Sequence, residues 1–205
     1  MFTWHITFQD QAAVQDLAAT VRGQLAGLPG LDLVPGQWLH LTTQGVGFTD
    51  EVNDEDLAAI TRGARTRLAT VRAPLITIGP ARVASEGIAC DVRPHGALTP
   101  LRDALRAAIA DVWGPERVPE APEWTPHVSV AYSNATGPAG AFEAALDGED
   151  ATAVMAADVV QLIRLGRDRR VYEWETCASV PLADGAARAR LCSPHVCQRV
   201  RPAGP

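Results

Sequence analysis

Along the first residues of the chain, apolar and polar side chains alternate. Phe2, Trp4, Ile6 and Phe8 fall on one parity and Thr3, His5 and Thr7 on the other, which predicts a strand over Phe2 to Phe8. The spacing then turns helical. Val14, Leu17, Val21, Leu25 and Leu28 predict a helix from about Gln11 to Gly27, capped by Asp10 and stopped by Pro29-Gly30. Pro35-Gly36 turns the chain into a strand from Trp38 to Phe48. After the acidic break Asp50 to Asp54, with Asp54 as cap, Leu57, Ile60, Ala64, Leu68 and Val71 mark a second helix. Arg62, Arg65 and Arg67 form its solvated side, and Pro74 ends it.

Strand-like runs follow over Leu75 to Ile78 and Val83 to Val92. A third helix opens at Thr99-Pro100, a capping residue before a proline, and carries Leu101, Leu105, Ile109 and Val112 to the stop at Gly114-Pro115. A proline-rich loop over Pro115 to Pro126 leads into a strand from His127 to Tyr132. Asn134 to Gly140 reads as a turn and Ala141 to Leu146 as a short helix. Val159 to Leu165 and Val171 to Thr176 read as a hairpin closed by Gly166-Arg167-Asp168-Arg169-Arg170. Beyond Leu182 the periodicity is lost, and Ala183 to Pro205, rich in Ala, Arg, Gly and Pro, is expected to be a loosely ordered tail.

Two of these strands carry the same short pattern, His40-Leu41-Thr42 and His127-Val128-Ser129. Strand alternation puts His40 with Thr42 on one face and His127 with Ser129 on another, with Leu39, Leu41, Val128 and Val130 turned the opposite way. Strand, helix and motif strand succeed one another over residues 2–47 and again over 88–132, and a Pro and a Trp precede each motif. This repeat predicts an α+β, bilobal fold. Two pseudo-symmetric strand-helix-strand lobes with antiparallel sheets would bring both motifs to a central cleft.

Composition narrows the chemistry. With 205 residues the chain can bury a sizeable core, and its 47% hydrophobic content contains no run near the ~20 residues of a membrane helix. Met1 to Asp10 lacks the basic and apolar regions of a secretory leader, so a cytoplasmic location is expected. The formal net charge of −6 argues against broad electrostatic capture of long nucleic acids and fits a small phosphorylated substrate or an RNA end. All 18 basic residues counted as Lys and Arg are arginine, which removes lysine Schiff bases, phosphate-loop lysines and adenylated lysines from consideration. Cys90, Cys177, Cys192 and Cys197 form no C-x-x-C pair. Cys192, His195 and Cys197 group three soft ligands without a fourth at zinc-like spacing, so no metal and no cofactor is expected.

The paired H-x-T and H-x-S motifs and the repeat around them resemble the 2H phosphoesterase superfamily, which includes the 2′-5′ RNA ligase and 2′,3′-cyclic phosphodiesterase families. The resemblance covers residues 2–180 and implies a single bilobal domain over 1–182 with a water-filled groove and no metal requirement. Carried over by motif, the catalytic residues would be His40, Thr42, His127 and Ser129. Several ligase-like members have an arginine shortly after the second motif, where this chain has Ala131-Tyr132.

The chemistry is independent of the family. An imidazole, with an ordinary pKa near ~6.5, can take a proton from water or give one to a leaving ribose oxygen at neutral pH. Hydroxyls on the same faces can hold non-bridging phosphate oxygens. Together with the resemblance, which implies the substrate, this chemistry gives the expected activity: metal-independent opening of a 2′,3′-cyclic phosphate, on a small cyclic nucleotide or an RNA terminus, by a monomer. The resemblance also implies reversible 2′-5′ RNA ligation. Three further candidates for substrate binding each carry a structural alternative. His5, in a third H-x-T, either lines the cleft or is structural, and Trp38, on the His40 face, either stacks on a base or packs in the core. Tyr132 faces the core unless its strand bulges, which would let it reach substrate. The arginines of the hairpin turn are either solvated or a phosphate clamp. The alternatives weighed are a non-catalytic nucleotide- or RNA-binding module on the same fold, a metal-dependent hydrolase, and a serine hydrolase. The last lacks a G-x-S-x-G elbow.

Overall fold

The computed structural model describes residues 1–120, 124–166 and 171–183. In chain order the elements are β1 (Phe2–Thr7), α1 (Ala12–Gln24), β2 (Leu31–Leu33), β3 (His40–Gly47), α2 (Asp54–Leu68), β4 (Leu75–Ala84), β5 (Gly87–Arg93), α3 (Thr99–Trp113), β6 (His127–Ser133), α4 (Gly140–Ala145), β7 (Ala153–Ala156), β8 (Val159–Gly166) and β9 (Glu173–Pro181). The strands form two antiparallel sheets, a four-stranded one ordered β3-β1-β8-β9 and a five-stranded one ordered β2-β6-β5-β4-β7. Set aside β2, and β3-β1-β8-β9 matches β6-β5-β4-β7 strand for strand. The α+β fold with its two antiparallel sheets is as the repeat predicts.

The helices cross between the repeats. α1 links β1 to β3 in the first sheet, yet its apolar stripe (Val14, Leu17, Ala18 and Val21) packs on β4, β6 and β7 of the second. α3 links β5 to β6 in the second sheet and packs on β3 of the first, beside α2, which covers β9. One apolar core therefore runs through both repeats, from Trp4, Ile6 and Phe8 to Ile88, Cys90 and Val92. This interlock holds the inner faces of the two sheets in register with each other.

Several local expectations give way to the geometry. Asp10 does not cap α1, whose N-cap is Gln11 without a side-chain bond, and the helix ends at Gln24. Asn53 rather than Asp54 caps α2, accepting from the Asp56 N–H at 2.8 Å. Three acidic residues follow in the first turn, where the helix dipole favours them. Thr99 is already helical with Leu98 at the N-cap, so Pro100 sits in the first turn of α3 and the helix starts without a hydroxyl cap. The run Val83 to Val92 is two strands, with β4 turning at Ser85-Glu86 into β5. The short strands β2 and β7 carry too few residues for a period of two to register, and Trp38 lies before its strand, in a 3₁₀ turn over Gly36–Trp38. The expected tail beyond Ala183, with Cys192, His195 and Cys197, lies outside the described residues, as do Arg167, Arg169 and Arg170. Among the described residues, no helix is long and apolar enough to cross a membrane.

Candidate active site

β3 and β6 lie against each other where the sheets meet. Leu39 just before β3 and Leu41 on it, with Val128 and Val130 on β6, are buried at 1% exposure or less, which turns the opposite parity toward the space between the sheets. That space is a cavity of about 290 Å³. His5, His40, Thr42, His127, Ser129 and Tyr132 all line it, together with Thr3, Glu86 and Tyr172. A larger concavity of about 800 Å³ lies beyond the outer edge of the second sheet, among Ser85, Ser133 to Ala139 and Phe142, and contains none of the motif residues.

Both motif strands use one device. Across from β1, His5 faces Thr42 and Trp4 faces Gln44, so Thr43 is an extra residue on β3. Across from β5, Ala89 faces Ser129 and Ile88 faces Ala131, so Val130 is an extra residue on β6. A bulge thus follows the hydroxyl residue in each motif, where it bends the strand and re-aims the side chains after it. On β6 the bulge turns Tyr132 to the cavity, which the plain alternation of its strand would not allow. Tyr132 lies across from Gly87, whose φ of +144° and missing side chain admit the backbone of Tyr132 close by.

The histidine rings are held alike. The Nδ1 of His40 lies 2.9 Å from the carbonyl oxygen of Trp38, and the Nδ1 of His127 lies 2.9 Å from that of Thr125. A carbonyl only accepts, so Nδ1 carries the hydrogen in both rings and Nε2 is left to work in the cavity. Their surroundings differ. His40 is buried, and burial together with the nearby His127 moves its pKa below the ordinary imidazole value, against the lift from the Trp38 carbonyl. His127 is exposed to solvent.

His5 stacks on His40 with ring centres 4.4 Å apart and planes within 2°, and its Nε2 lies 3.1 Å from the Thr42 hydroxyl. Burial, and secondarily His40, hold its pKa well below the ordinary value. Trp174 meets His5, His40 and Trp38 edge-on at 6.0, 5.3 and 4.8 Å, and Tyr172 meets His40 and Tyr132 edge-on at 6.0 and 5.5 Å. Sequence shows these two aromatics only as part of one arm of a hairpin, and no local motif marks them. Trp38 is not beside His40 and Thr42. Its carbonyl orients His40, while its ring lines an adjoining cavity of about 510 Å³ with Trp174 and Arg164, and Arg164 is paired to Glu175 at 2.5 Å. Trp124, in the loop before β6, donates to the Thr42 carbonyl at 3.0 Å beneath the Arg102 guanidinium and so ties the second motif's approach to the first motif.

On the second sheet, Asp91 pairs in register with His127 and is itself buried, bound to Arg82 and Arg93. The arrangement offers two imidazole nitrogens, two hydroxyls and an aromatic wall around one cavity. This is a set able to hold a tetrahedral anion and exchange protons on two sides of it.

The sequence model of the 2′-5′ RNA ligase superfamily matches residues 5–169. Among curated proteins no sequence matches significantly. Among solved structures, TT0787 of Thermus thermophilus superposes with a TM-score of 0.66 at 18% identity, covering 89% of this chain and 97% of that one. Escherichia coli LigT in its apo form gives 0.62 at 15% identity, covering 88% and 96%. LigT complexed with NADP+ gives 0.62 at 17%, covering 89% and 97%. At these identities the superpositions speak for the fold.

Proposed function

Because the chain belongs to the 2′-5′ RNA ligase superfamily, we propose that it opens 2′,3′-cyclic phosphates by two-histidine acid–base catalysis. The substrate is a small cyclic nucleotide or an RNA terminus. The observation that carries this reading is the matched pair of imidazoles: each has Nδ1 tied to the carbonyl two residues before it, and each lines the same cavity as a motif hydroxyl.

In the forward reaction one Nε2 takes a proton from water as the water oxygen bonds to phosphorus. The bond from phosphorus to one ribose oxygen breaks, and that oxygen takes the proton from the other Nε2. The first ring ends protonated and the second neutral, and exchange with solvent restores both. Thr42 and Ser129 donate to the non-bridging oxygens, whose charge grows in the transition state. His5 and Tyr132 line the reacting group's pocket, and Trp38 with Trp174 offers a face for the base. Every proton and charge in this scheme has a side-chain partner, so the reaction is written without a metal or cofactor. Ligation to a 2′-5′ bond follows the same path with a 5′-hydroxyl in place of water. That hydroxyl gives its proton to one Nε2 as its oxygen bonds to phosphorus, and the ribose 3′-oxygen leaves with the proton from the other. Escherichia coli LigT has been seen complexed with 3′-AMP and with phosphate, a mononucleotide and an anion of the chemical class proposed here.

The test is hydrolysis of 2′,3′-cyclic nucleotides and cyclic-ended oligonucleotides in EDTA. Wild type is expected to turn over, and His40→Ala and His127→Ala each to lose roughly 10²–10⁴-fold. An inert wild type that still binds 3′-nucleotides would instead support the binding-module reading.

A further inference from the structure

The two repeats share a backbone device, but only one of them carries a third histidine. In the register of the sheets, the position of His5 opposite Thr42 corresponds to Ala89 opposite Ser129. A methyl group serves the second motif. The first has an imidazole that is fully buried, stacked on His40 and bonded to Thr42.

The polar neighbours of that imidazole settle how it is used. Its Nδ1 is buried and finds no partner among the described residues. A bare ring nitrogen in an apolar place costs less than an N–H left without an acceptor, so the hydrogen sits on Nε2. His5 then donates to the Thr42 oxygen, and the Thr42 hydroxyl hydrogen is left to point into the cavity. The other tautomer would draw that hydrogen onto His5 and present only lone pairs to a phosphate.

We propose that His5 is a positioning residue: it turns the Thr42 hydroxyl into a dedicated donor to the substrate phosphate, and its stacked ring commits His40 to the role of base, leaving His127 as acid. This rests on the reading of His40 and His127 as the proton-transfer pair. The pKa directions agree, since burial lowers both His5 and His40. The groups facing His40 are His5 from β1, His127 from β6, Tyr172 and Trp174 from the arm of β9, and Glu86 and Tyr132 on the cavity wall. Glu86 is the one carboxylate among the described lining residues.

Two variants separate the two roles. His5→Ala admits water beside His40 and removes the Thr42 partner, whereas His5→Phe keeps a ring stacked on His40 and removes only the partner. Both are expected to lose roughly tenfold or more in kcat/KM on a 2′,3′-cyclic nucleotide. NMR titration of the imidazole resonances should show the His40 midpoint rising in His5→Ala by roughly half a pH unit or more and staying in place in His5→Phe. The acid limb of the kcat/KM profile should move with it. A merely structural role would lower activity without moving that midpoint. Wild-type kcat/KM in either variant, or an unmoved His40 midpoint in His5→Ala, overturns the proposal. An inert wild type would defeat the proposed function instead, and the NMR titration would still decide the stacking claim.

Discussion

The first motif sits among neutral rings and the second among ions. Around His40 are His5, Tyr172 and Trp174, all in ring contact. Beside His127 in register is Asp91, which carries Arg82 and Arg93. The residue matching Asp91 on β1 is Thr7, across from His40, and the residue matching Tyr132 on β3 is Gly45. The backbone device was therefore kept while its surroundings diverged. A symmetric pair of imidazoles would have no reason to differ in proton affinity, yet a phosphodiester opening needs one ring to take a proton while the other gives one. Divergence around the two motifs leaves His40 where burial lowers its pKa, the kind of asymmetry that the proposed acid–base pair calls for.

The sharpest way to probe this is to remove the hydroxyls. Thr42→Val and Ser129→Ala should each lower kcat/KM by roughly 10²-fold, the scale for losing one donor to a developing oxyanion. Stability should separate them. Thr42→Val leaves the His5 Nε2–H buried without its acceptor, at a cost of about 1–3 kcal/mol, whereas Ser129 faces only Ala89 and its loss should stay within about 0.5 kcal/mol. Urea denaturation of the two variants reads this directly. Equal stabilities would mean that the His5–Thr42 bond contributes nothing the second motif lacks.

The next effect is in the pH dependence of folding. His5 and His40 have folded-state pKa values below those of the unfolded chain, so the unfolded state binds more protons as the solution acidifies. Their contribution is complete above the ordinary imidazole range and is lost as pH falls through it toward the folded values. Each ring contributes a slope of at most ~1.4 kcal/mol per pH unit in that window. Stability measured at pH 7 and at pH 5 should drop for wild type and drop less for His5→Phe, which keeps only the His40 share. An identical drop in the two proteins would mean that His5 is charged, or solvated, in the native state.

How much of this is legible in the sequence follows from what each signal depends on. The strand β1 and both motif strands are written in local alternation, and the pairing of the motifs in the repeat. His5, His40, Thr42, His127, Ser129 and Tyr132 do line one cavity. Alternation fails where long-range contacts decide. It puts Trp38 on the His40 face because nothing local shows that the strand begins after it, at His40. The ring stack of His5 on His40 depends on the β1–β3 register, which is set by two bulges invisible in composition. Trp174 reaches the site through a hairpin whose partner strand β8 lies beside β1. The crossing of α1 and α3 between sheets cannot be read from amphipathic stripes, which show that a face is buried but not against what.

The smallest expected effect concerns the ionic half. Asp91 has a side chain 7% exposed, while those of Arg82 and Arg93 are 48% and 64% exposed. A buried carboxylate that lost both partners would be costly, of the order of 3–5 kcal/mol. Asp91→Asn instead removes the charge itself and leaves two guanidinium ends that water can reach, so the loss is nearer that of exposed pairs. The carboxylate also has one buried oxygen without a hydrogen bond among the described residues, a cost the substitution changes little. The expected destabilisation is about 1 kcal/mol, shrinking in about 0.5 M salt as the exposed arginines are screened. A loss above about 3 kcal/mol that ignores salt would mean that Asp91 acts as a fully buried ion, and that the second motif is held as rigidly by charge as the first is by its rings.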